Sequence, residues 1–256
     1  MRKLVMVGAL LAVTLLPSPV YAAALDEGEQ AVSTPWMAIA ESMTRPDDMA
    51  TNSGKLLDEL ISQMKADANL AEMEAAYPGL FDAFAEGIRP LLADEVAKSA
   101  PRYRAEIAAL YSASLTESEA RQVAAFLVSP GMERFRKLLL ANMVQRKSVA
   151  DALSAETISQ EAIRSDIQST ALNVMFKLDP ADYAAITAFY KMPLGQKFAA
   201  LNPKKLEVDA KWANEISPEN EARIEPIMTK VMIDHIRKTD PEMADLVAEE
   251  LAKPDS

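Results

Sequence analysis

Few residues in this chain are of the types that carry out reactions near neutral pH, and their spacing argues against most of those reactions. There is no cysteine and a single histidine, His235. Without a thiol the chain forms no Cys/His dyad and no thiolate metal site, and one imidazole cannot build a His-rich metal centre. His235 continues the helical stripe of Ile224, Met228 and Val231, which reads as a packed or boundary position. Ser62-Gln63-Met64-Lys65 has the Ser-x-x-Lys spacing of penicillin-recognising enzymes. That chemistry also needs a Lys-Thr-Gly, however, and Lys238-Thr239 runs on to Asp240. Glu41-Ser42 and Glu117-Ser118 carry the dipeptide found where a single Glu cleaves cell-wall glycans. Neither has glycine- and glutamine-rich surroundings, and Glu117 falls in a first helical turn, where the helix dipole alone favours an acid. Calcium loops, phosphate-binding glycine loops and dinucleotide fingerprints are absent. No metal or cofactor is expected.

One constellation remains. Gly131 and Gly195 stand near helix starts, and Arg134 and Lys197 follow them at matching positions. Exposed amides beside a cation would receive an anion or a peptide carboxylate. The competing reading is a packing corner with solvated basic residues, and caps and prolines favour it.

These four residues belong to a frame that occurs twice. Leu115, Glu119, Val123, Phe126, Pro130, Phe135 and Leu138 recur at one constant offset, without insertion or deletion, as Leu178, Asp182, Ile186, Phe189, Pro193, Phe198 and Leu201. Thr116 and Glu119 have the spacing of a capping box, and Asp179 and Asp182 take the same places in the second copy. Each copy therefore reads as a helix, a proline corner and a second helix, with two aromatic rings placed to meet across the turn. The units cover about 101–145 and 164–205. The frame consists of caps, breakers and apolar packing residues.

The corner resembles that of the bacterial family catalogued as domain of unknown function 2059, exported proteins with a Leu-Thr-x-x-Glu helix and an aromatic-rich Phe-x-x-Ser-Pro-x-Gly corner. The second copy matches at Phe189-Tyr190-Lys191-Met192-Pro193-Leu194-Gly195-Gln196-Lys197, with Met192 in place of Ser or Thr. The first, Phe126-Leu127-Val128-Ser129-Pro130-Gly131-Met132, keeps Ser-Pro but has its glycine one place early. The resemblance covers about residues 100–205. It implies a helical exported protein and brings no activity with it.

The elements that must position this frame are helices. Capping residues stand directly before prolines at Thr34-Pro35, Ser129-Pro130, Asp179-Pro180, Asn202-Pro203, Ser217-Pro218 and Asp240-Pro241, which predicts helices starting near 35, 130, 180, 203, 218 and 241. Others are predicted over about 53–66, 79–99, 101–114, 116–127 and 155–177, with Pro90 kinking or dividing the 79–99 segment. Apolar stripes fall at Ile163, Ile167, Ala171 and Val174, and at Val208, Trp212 and Ile216. The expected fold is all-α, a compact multi-helix bundle built around the tandem duplicated unit.

Arg2-Lys3, the apolar run Leu4–Leu16, Pro17 and Pro19, and then Ala22, Ala23 and Ala24 have the layout of a secretory signal over 1–22. Residues 23–48 read as a flexible lead-in with one short helix, and 49–256 as a single all-α domain. Without 1–22, which holds two bases and no acid, 25 basic residues face 38 acidic ones, a net charge of −13. Such a surface repels phosphate backbones and anionic headgroups, so nucleic acid is not expected as a partner, nor stable membrane insertion after signal cleavage. With no disulfides, packing alone must hold the fold.

The expectation is an exported, periplasmic or secreted helical protein of a Gram-negative cell. Its role would be a non-catalytic binding module for a protein, peptide or apolar ligand. The alternative is an envelope hydrolase or lyase using one Glu, which requires a deep acidic cleft.

Overall fold

Proline inside a helix removes a hydrogen bond but costs nothing at its first position, so it favours the places where these helices begin. The computed structural model describes residues 34–155 and 157–251, which form thirteen helices and no strand. In chain order they are α1 (Pro35–Met43), α2 (Pro46–Ala66), α3 (Ala68–Ala76), α4 (Leu80–Ser112), α5 (Glu117–Leu127), α6 (Pro130–Asn142) and α7 (Arg146–Ala155), then α8 (Gln160–Met175), α9 (Pro180–Lys191), α10 (Pro193–Ala199), α11 (Asn202–Ala213), α12 (Pro218–Arg237) and α13 (Pro241–Leu251). The signal segment and the first part of the lead-in lie outside the described residues.

All six capping-residue–proline pairs open a helix. Thr34, Asp179, Ser217 and Asp240 accept a backbone N–H of the first turn. Ser129 makes no such side-chain bond, and at α11 the cap position is Leu201, one residue earlier than expected. Thr116 and Glu119 form the reciprocal capping box.

Three expectations are corrected. The segments predicted as 79–99 and 101–114 are one continuous helix, α4, with Pro90 and Pro101 inside it. Both prolines are exposed, so the missing hydrogen bonds fall on the solvent side while burial of the opposite face holds the helix together. The helix expected to begin near 155 begins at Gln160, and an unforeseen helix, α7, precedes it. The lead-in is built into the fold from Thr34 onward: α1 packs on α4 and α5 and buries Ile39 and Ala40 completely.

At 33 residues, α4 is about 50 Å long, and it links two apolar cores. Its first half buries Phe81, Phe84, Ile88 and Leu91 against Leu57 and Ile61 of α2 and Ile224, Met228 and Ile236 of α12. Its second half buries Ile107, Ala108 and Tyr111 with Ile39 of α1, Val123 of α5, Phe189 of α9 and Phe198 of α10. The repeated frame contributes to this second core.

The two corners have the same backbone design. Ser129 and Met192 are extended, as a following proline favours, and each donates its N–H to the carbonyl three residues back, Phe126 and Phe189, at 3.0 Å. The second corner also requires a glycine. A Cβ on Gly195 would run into the Phe189 carbonyl and the backbone of Tyr190, where no flexible side chain can give way. Gly195→Ala is therefore expected to cost about 1–3 kcal/mol, measured by urea unfolding. Gly131→Ala, whose Cβ would meet Asp182 Oδ1 at 3.1 Å, should cost less. Phe189→Ala should cost about 3–5 kcal/mol, and Phe126→Ala less, because Phe126 is only half-buried where Phe189 is 6% exposed.

Candidate functional site

The charged residues of the frame are spent on each other. Arg134, just past the first corner, donates from Nε and Nη2 to both carboxylate oxygens of Asp182, in the first turn of α9. Lys197, just past the second corner, donates to both oxygens of Glu119, in the first turn of α5, at 2.7 and 2.8 Å. Lys197 holds the place in the second unit that Arg134 holds in the first, and Asp182 the place that Glu119 holds, so the two units exchange ion pairs. Between these pairs the rings of Phe126 and Phe189 stack, with centroids 3.6 Å apart and planes within 8°. Tyr190 meets both edge-on, at 5.8 and 5.5 Å.

This arrangement accounts for the four residues considered for anion binding. Gly131 is buried against Asp182, Arg134 grips the same carboxylate, Lys197 holds Glu119, and Gly195 is buried beneath the Phe189 carbonyl. The anion at each corner is a carboxylate of the other unit. The charges respond accordingly. Lys197, with the Thr116 amide and hydroxyl, pulls the Glu119 carboxyl from its ordinary 4.5 down to about 2. The Arg134 guanidinium holds Asp182 below the usual carboxylate range, against the opposing effect of burial.

The exchange leaves an open groove beside it. Helices α8 and α9 both pack on α6, and a cavity of about 380 Å³ lies between them. Its floor is Met132 and Phe135 of α6, and its walls are Ala171 and Met175 of α8 and Ile186, Thr187, Tyr190 and Lys191 of α9. Each set recurs at three- or four-residue spacing, so one face of each helix lines the space. A neighbouring face of α6 is held elsewhere: Arg45 donates to Glu133 and Arg136 to Asp48, at the α1–α2 junction. Large apolar side chains on the same two helices, next along the chain to lining residues or one turn from them, are exposed. Phe176 is 90% exposed, Leu172 65% and Tyr183 47%. Packing around Tyr190 raises its phenol above the ordinary range.

Protein-family models, curated proteins and solved structures were compared with this chain, and none matches. The site is therefore read from its own chemistry.

The residues singled out for reaction chemistry are dispersed. The Lys65 ammonium is committed to Asp82 at 2.6 Å. His235 lies half-buried, with Nε2 3.1 Å from the Pro78 carbonyl oxygen. Glu41 and Glu117 are exposed, the latter paired with Arg121. Several half-buried glutamates serve as structural acceptors: Glu74 for the amides of Gly79 and Phe81, Glu95 for Ser217 and Asn220, Glu106 for Trp212 and Lys211. Among the described residues no group of three or more His, Asp or Glu is placed to hold a metal ion, and no helix is long and apolar enough to cross a membrane.

Sequence reasoning placed Phe135 in the frame and Ala171 on a stripe, but missed the groove they share. The one signal for it was the pair of uncharged segments Ala171–Phe176 and Tyr183–Tyr190, with only a short connection between them.

Because both carboxylates are depressed in the folded state, their contribution is fully present above their unfolded values and is lost as the pH falls towards the folded ones. The thermal midpoint should therefore drop between about pH 4.5 and pH 2, the window set by Glu119. The double variant Glu119→Gln/Asp182→Asn should begin less stable at neutral pH and lose less over that window, as calorimetry across the range would record.

Proposed function

We propose that this chain is a non-catalytic binding protein of the cell envelope, and that the groove between α8 and α9 receives an apolar segment of a partner. The observation that carries this reading is the apolar rim. A ring exposed as fully as Phe176, with Leu172 one turn before it and an apolar cavity alongside, costs solubility unless something covers it. The cavity's volume falls at the small end of the range for ligand sites, and its lining is apolar apart from Thr187, Tyr190 and Lys191. Export is part of the proposal and rests on Arg2-Lys3, the Leu4–Leu16 run and the small residues after it. Descent of the two corner units from one duplicated element is also part of it, supported by their ungapped register and the exchanged ion pairs.

The test is a titration with anilinonaphthalene sulfonate, an apolar dye whose sulfonate can pair with Lys191. Saturable fluorescence enhancement is expected. Thr187→Arg, which sends a charged chain across the groove from a half-buried wall position, should weaken the affinity about tenfold or more. Equal dye binding by both proteins would place the apolar site elsewhere and defeat the assignment.

A further inference from the structure

The groove has a covered twin within the same molecule. In the register of the two units, Phe135 on its floor corresponds to Phe198, and Ala171 and Ile186 on its walls correspond to Ala108 and Val123. Phe198, Ala108 and Val123 all belong to the second apolar core. The groove and that core are therefore built from corresponding positions of the two units. The difference is the cover. In the core, α1 packs on α4 and α5 and seals it with Ile39 and Ala40, with Trp36 and Met43 at its edges. On the groove side, α8 and α9 take the places of α4 and α5, and no helix of the described residues takes the place of α1.

We infer that the groove is the seat for an amphipathic helix of a partner protein, docked as α1 docks on its own unit. This rests on the binding reading above and narrows it. The α9 wall from Ile186 to Lys191 is about 8 Å long, and the exposed Tyr183 one turn before it extends the strip to about 12 Å, close to the roughly 13 Å of a nine-residue helix such as α1. The apolar face of α1, at positions 36, 39, 40 and 43, has the i, i+3, i+4, i+7 spacing of groove-binding helices. The charge specifies the rest. Lys191 lines the groove where the first unit has Val128, and no carboxylate of the described residues pairs with it. In an otherwise acidic chain this cation selects an occupant with an acidic flank.

The probe is a fluorescently labelled peptide of residues 34–44, which carries the α1 face and one acid, Glu41. It is titrated with the full chain and followed by anisotropy. Saturable binding is expected, weakened about tenfold or more by Thr187→Arg and about fivefold by Lys191→Glu. The second substitution is at an exposed position and leaves folding intact, so it remains informative if the first does not. Peptide binding that is absent, or that both variants retain, overturns the inference. If the dye still binds in the wild type and is lost in Thr187→Arg, the apolar groove survives and only the helix is withdrawn. Self-association of the wild-type chain in sedimentation, abolished by the same two substitutions, would overturn the assignment to a partner protein and make a second copy the occupant.

Discussion

The structure depends on charges that neither corner unit satisfies within itself. Asp182 is 6% exposed, and the cation it faces, Arg134, comes from the other unit. Leaving so buried a carboxylate unpaired is strongly destabilising, by up to about 3–5 kcal/mol. Lys197 and Glu119 repeat the exchange in the opposite direction, and the Phe126–Phe189 stack lies where the units meet. Two ion pairs and one ring pair thus fix α5, α6, α9 and α10 against one another. The positions of α6 and α9, in turn, define two sides of the groove.

This use of charge explains why the site has so little reactive chemistry. Glu117 is paired with Arg121, Glu119 and Asp182 with the cations of the opposite corners, and the corner glycines Gly131 and Gly195 are buried by close packing. What the surface offers instead is shape and exposed apolar area. Phe176 and Leu172 are presented to water beside these occupied polar groups.

The two corners share a backbone turn, but the helix after the first has 13 residues and that after the second 7, and their surroundings differ. One is sealed by α1 and lies at the second half of the long α4 helix; the other is flanked by α8 and stays open. Helix α4 also ties this region to the first core, where α2, α12 and α13 pack around its first half. The corners therefore rest on a rigid support. The helices that wall the groove are anchored at Ile186 and Val174, which are 4% and 0% exposed.

Much of the helical plan was legible in the order of residues, because its causes are local. Proline presets a dihedral at all six starts, and at four of them the capping side chain before it also satisfies a nearby amide. The all-α class followed from the same local preferences, and the register of the frame from its spacing. What lay beyond the sequence was everything set by residues far apart along it. Helix α7 has no cap of its own: its first amides, Lys147 and Ser148, are taken by Asp166 of α8. Helix α4 runs through two prolines because distant apolar partners hold both of its halves. The exchange of Arg134 and Lys197 between units, and with it the open seat beside Phe135, was decided only when the chain folded. Nothing in a single unit's sequence tells which carboxylate will reach its cation, or which of two matching apolar faces will find a helix to cover it.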